Sequence, residues 1–153
     1  MNLSVEVKGL DDLIRDVKRA GGDAEKLVKA SFVNSTNEIQ KQTRSRAPHK
    51  TGTLQRSIMP EVNYPVAKVV VNEKYGQYIE SGTGIYGQNG RRITPKSAKV
   101  LAWGKGGSMV FARSTAGMKP RPFFKPGVEA SIGYIGEQFQ KVIDIIMKEL
   151  AGR

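Results

Sequence analysis

The chain has 153 residues, 39% of them hydrophobic, which suits one domain with one core. The absence of cysteine excludes a disulfide framework and a thiolate metal site, and it suits assembly in a reducing cytoplasm. A net charge of +11 points to an acidic or polyanionic partner.

No apolar run approaches the roughly 18 residues of a bilayer span, so no membrane role is expected. The opening residues lack the basic and apolar regions of a signal peptide, so secretory export is not expected either.

Leu3, Val5 and Val7 alternate with Ser4, Glu6 and Lys8, the period of a half-buried strand. After Gly9, the spacing of Leu10, Leu13, Ile14 and Val17 predicts a short helix, ended or interrupted at Gly21-Gly22. A longer helix follows, with Asp23 as its cap and Leu27, Val28, Phe32 and Ile39 along one side. It must stop near Arg46, because Pro48 disfavours helical geometry in the residue before it.

Leu54–Val62, Val66–Val71 and Tyr75–Glu80 read as strands separated by turn-rich stretches. From Ser81 to about Pro120 the chain is Gly-rich and basic, a flexible arm inserted between strands. Within it, Met109–Ala112 suits a strand, and Ser97–Trp103 a short helix or an extended arm. The last helix begins near Pro126. Val128, Ile132, Ile135, Phe139, Val142, Ile146 and Leu150 form its apolar seam. That seam faces the core, and the additional apolar residues Ile143, Ile145 and Met147 leave room for a subunit contact. The fold class is α+β: long amino- and carboxy-terminal helices pack on a small, mostly antiparallel sheet within a single domain over 1–153.

The charge is concentrated. No Asp or Glu occurs from Ser81 to Val128, where Arg91, Arg92, Lys96, Lys99, Lys105, Arg113, Lys119, Arg121 and Lys125 all fall. The segment is either a surface for a polyanion or a solvated loop that keeps the protein soluble.

Catalytic chemistry is hard to assemble here. His49 is the only histidine, and the acid-free segment excludes paired carboxylates. Gly82-Thr83-Gly84-Ile85-Tyr86-Gly87 fits G-x-G-x-x-G, but turn residues follow it, and a dinucleotide fingerprint requires a helix there. Gly104–Ser108 lacks phosphate-loop spacing and suits a tight turn. No enzyme activity, cofactor or metal is expected.

Four blocks carry a family resemblance. Arg46–Ile58, with Pro48, Thr51, Gly52 and Leu54, resembles an "A-P-x-x-T-G-x-L-x-x-S-I" block of the Hong Kong 97-type phage tail-component family. Tyr75–Gly84, with Tyr75, Tyr78, Glu80, Gly82 and Thr83, resembles its "Y-A-x-Y-V-E-x-G-T" block. Ile93–Trp103 is similar to "I-x-P-K-x-A-K-A-L", and Gly117–Pro126, with Pro120, Pro122 and Phe123, to "G-x-x-P-x-P-F-x-x-P-A". Ser81 and Gly127 depart from the pattern, which has Phe or Leu and Ala there. Each block also reads as scaffold: a turn into a strand, the faces of a strand, an extended Pro-rich stretch, and aromatic anchors Phe123 and Phe124.

The resemblance implies a structural virion protein of the head–tail connector, a neck or tail-completion subunit. Its ring, with six copies as the natural number, would join head to tail and let double-stranded DNA pass. Its partners would be itself, head-completion proteins and a tail terminator, with the isolated chain monomeric and assembly in the host cytoplasm. Arg91, Arg92, Lys96, Lys99, Lys105 and Arg113 are the candidate contacts, either to DNA phosphates or to an acidic partner ring. The competing class is a small basic protein that binds nucleic acid without sequence preference, though no DNA- or RNA-binding motif supports it.

Overall fold

The computed structural model describes residues 4–7, 15, 17 and 22–151. The chain has an α+β fold and divides into two compact units: Lys74–Pro122, and Asn2–Glu73 with Phe123–Arg153. Of the short helix expected from Leu10, Leu13, Ile14 and Val17, the first three residues lie outside the described ones; Arg15 and Val17 are helical, and Val17 is buried.

In the larger unit, β1 (Ser4–Val7), β2 (Ile58–Asn63) and β3 (Val66–Val71) form an antiparallel sheet in the order β1-β3-β2. Its register explains its two faces. Val5 pairs with Val69, Ile58 with Val71 and Val62 with Ala67, which sets these apolar residues on one face. Ala67, Val69 and Val71 are accordingly buried. On the opposite face Glu61 pairs with Lys68 and bonds its ammonium at 2.9 Å. The β2–β3 turn contains the Tyr64–Pro65 peptide, which is cis.

Helix α1 (Gly22–Arg46) packs on β2 and β3. It ends at Arg46, as Pro48 requires, whereas Asp23 stands inside its first turn and not at the cap, so the helix starts two residues earlier than an Asp23 cap implies. Ala24, Val28, Phe32, Ile39 and Thr43 are buried along one side. Helix α4 (Phe124–Ala151) lies against α1, and its Val142 and Ile146 share a core with Val17, Val28, Phe32 and Ala67. Phe32 sits edge-on to both Tyr64 and Phe139, with ring centroids 5.6 and 5.4 Å away. Such pairs add about 0.5–1.5 kcal/mol each beyond burial.

The buried side of α4 is not the expected seam throughout. Ile132 is 61% exposed, and Ser131 is buried in its place, donating its hydroxyl to the Gly127 carbonyl at 2.8 Å. Near its start α4 approaches α1 closely, so small residues face inward there and Ile132 is turned out.

Two expected strands are corrected. Leu54 does not open a strand: Thr53–Arg56 is the single-turn helix α2, and β2 starts at Ile58. Tyr75–Glu80 is not a strand either, because Gly76–Ser81 forms the short helix α3. Its Ile79 amide bonds the Tyr75 carbonyl at 3.1 Å. Tyr75, Tyr78 and Ile79 lie at i, i+3 and i+4, a spacing that fits a helix as well as a short apolar strand, and length alone could not decide. Tyr75 and Tyr78 are exposed and do not face a sheet.

Ser81–Pro120 contains regular structure of its own and is bounded by α3 and α4. A 3-10 turn spans Gly84–Tyr86, and Ile93 and Thr115 exchange two backbone bonds of 2.9 Å. Strands β4 (Leu101–Lys105) and β5 (Ser108–Ala112) form an antiparallel hairpin. The strand expected at Met109–Ala112 is therefore present, and Ser97–Trp103 contains no helix. Gly106 and Gly107, both at positive φ, make the two-residue turn that suits a twisted hairpin.

Candidate functional site

The first family-like block is a joint at the end of α1. Gly52, at φ 73°, turns the chain into α2, where Leu54 is buried. The Gln55 amide donates to the Arg44 and Ala47 carbonyls at 3.1 and 3.3 Å and so satisfies groups at the end of α1. Gln40 and Arg44 both donate to the Ile58 carbonyl, at 2.7 and 2.9 Å. The Thr51 and Thr53 hydroxyls bond each other at 2.9 Å, and Pro48 is half-buried. His49 is exposed, and no group of side chains suited to a metal occurs among the described residues.

Gly82-Thr83-Gly84 crosses Ala116-Gly117-Met118. The Thr83 amide donates to the Met118 carbonyl, and the Met118 amide to the Thr83 hydroxyl, both at 2.9 Å. The Ile85 amide donates to the Ala116 carbonyl at 2.9 Å. A Cβ on Gly84 would overlap the Ala116 carbonyl, and one on Gly117 would overlap the Thr83 carbonyl. Both residues have positive φ. Gly82 and Gly84 of the apparent nucleotide fingerprint therefore serve a backbone crossing; a three-residue 3-10 turn lies within the motif, and no helix starts after Gly87 in this unit. Beside this crossing the Arg121 amide donates to the Ile79 carbonyl at 2.8 Å, while Pro120 and Pro122 are exposed. Glu80 is half-buried at the end of α3. Phe123, fully buried, belongs to the larger unit with Phe124.

A cavity of about 960 Å³ opens beside the crossing, lined by residues between Gln77 and Lys96. Three of the six candidate cations, Arg91, Arg92 and Lys96, line it. Arg92 Nε donates to the Ser114 hydroxyl at 3.0 Å. Lys99 precedes β4, Lys105 ends it at the hairpin turn, and Arg113 follows β5; all three are exposed and none lines the cavity. The structure thus assembles half of the candidate set. Tyr78, Gln88 and Asn89 share the cavity wall but were not legible as contacts, since neutral polar and aromatic residues carry no charge signal. No carboxylate among the described residues lines it, so these residues can hold an anion but supply no acid–base pair.

Residues 11–82 match the family model described as "Bacteriophage HK97-gp10, putative tail-component". The match takes in the Arg46–Ile58 block and most of the Tyr75–Gly84 block; Ile93–Trp103 and Gly117–Pro126 lie beyond it. The match covers just under half of the chain, likens that part to a phage tail component and is consistent with a structural virion protein. No curated protein and no solved structure matches the chain. No described helix is long and apolar enough to cross a membrane.

Proposed function

We propose that the protein is a structural subunit of a phage head–tail connector, a neck or tail-completion protein without catalytic activity. Copies of it form a ring, six by the symmetry of tails, that joins head to tail and lets double-stranded DNA pass. The carrying observation is the tail-component match over residues 11–82, a segment whose family-like residues cap, turn and pack the fold. One subunit type closes a ring through head-to-tail contacts related by rotation. Its neighbours are a head-completion protein and a tail terminator, met in the host cytoplasm before the finished virion is released.

The acid-free segment supplies the contact surface. Nine of the 25 lysines and arginines fall between Ser81 and Val128 and none of the 14 carboxylates does. Such a surface accelerates encounter with an acidic partner and rejects a basic one. Electron microscopy of particles assembled without this chain tests the reading. Full heads and finished tails should accumulate unjoined, whereas joined, infectious particles would refute it.

A further inference from the structure

The cavity beside the Gly82–Gly84 crossing has a composition that goes beyond a basic surface. Arg91, Arg92 and Lys96 line it together with Tyr78 and Ile93, which are 57% and 37% exposed, and no carboxylate among the described residues lines it. At about 960 Å³ it stands at the upper end of ordinary ligand cavities, roughly 300–1,000 Å³.

Several bonds give this cavity its shape before any partner arrives. The Thr83–Met118 and Ile85–Ala116 bonds pin the glycine segment, and the Ile93–Thr115 bridge holds the chain just after the two arginines. Arg92 is oriented by its bond to Ser114. A pre-shaped site lowers the ordering cost of binding.

We infer that this cavity is a docking site for an acidic, partly apolar peptide segment of a neighbouring virion protein. Three cations with no counter-charge in the cavity wall among the described residues call for carboxylates. The exposed ring of Tyr78 and the side chain of Ile93 offer apolar contact that a phosphate backbone does not use. Duplex DNA is a stiff rod with its phosphates on the outside, and protruding cations serve it better than a cavity with an aromatic wall. A second copy of the chain is the weaker occupant, since 16 cations offset its 14 carboxylates outside the basic segment.

The inference deepens the connector reading by naming the chemistry of the partner, and the two fail separately. Particle assembly decides the connector role, while binding by the isolated chain decides the cavity. The test is fluorescence anisotropy on the purified full chain, with two labelled probes at low and physiological salt. One is a short peptide of Asp and Glu with interspersed Leu, the other a short duplex DNA. Saturable binding of the peptide, tighter than that of the duplex, is expected. Arg91→Ala with Arg92→Ala should weaken it about tenfold or more. Tyr78→Ser should weaken the peptide but not the duplex, and Lys141→Ala on α4 should change neither. Lys96→Glu, which leaves the Arg92–Ser114 bond in place, should also weaken the peptide, and circular dichroism checks that each variant is folded. Tighter binding of the duplex, indifference to Tyr78→Ser, or no saturable peptide binding would overturn the inference.

Discussion

Gly127 on α4 stands so close to Thr43 on α1 that an added Cβ would lie 2.6 Å from the Thr43 hydroxyl oxygen and 2.7 Å from its Cα. The two longest helices meet there backbone to backbone, which accounts for glycine where the family pattern has alanine. Gly127→Ala should destabilise the chain by about 1–3 kcal/mol, the usual cost of overpacking a core, measured by urea unfolding. Adding Thr43→Ala should recover only part of the loss, because the Thr43 backbone remains in the way.

The crossing of Gly82–Gly84 with Ala116–Met118 depends on three glycines at positive φ, Gly82, Gly84 and Gly117. Gly84→Ala or Gly117→Ala should break it, through both the unfavourable φ and overlap with a carbonyl. Hydrogen exchange should then show the Thr83 and Ile85 amides losing protection, while the β2–β3 amides keep theirs.

The Tyr64 hydroxyl is buried without a hydrogen-bond partner among the described residues. Burial, and secondly the Glu25 carboxylate, push its pKa above the usual phenol value, against a smaller opposing pull from Lys29. The folded chain therefore holds this proton more tightly than the unfolded chain. The resulting stabilisation is complete below the ordinary phenol pKa and is lost as pH rises through the raised one. Tyr64→Phe should be neutral or stabilising by up to about 1 kcal/mol at neutral pH and should flatten the alkaline decline of Tm.

At the hairpin turn, a Cβ on Gly104, Gly106 or Gly107 would meet nothing within 4 Å, so the backbone there is open to solvent. If docking covers this hairpin, trypsin should cut near Lys105 and Arg113 in the free protein and much more slowly in assembled particles. Equal cutting in both would separate the segment from the contact.

The parts legible in the sequence are those with one dominant cause. Pro48 set the end of α1, alternation marked β1, and the aromatic pair Phe123-Phe124 marked an anchor that is indeed buried. Tyr75–Glu80 was misjudged because six residues satisfy helical and extended spacing alike. Ile132 was misplaced because the Gly127–Thr43 approach reverses the usual preference for large residues inside, a fact that exists only once two helices are brought together. The candidate site was half legible: charge marked Arg91, Arg92 and Lys96, but the fold alone sets Tyr78 beside them.

Quantitative mass spectrometry of purified virions, combined with gold labelling of this chain, tests the connector role most directly. The account predicts a small, fixed copy number per particle, with label confined to the junction of head and tail. Complete virions that lack the chain, with all of it left in the lysate, would contradict that role.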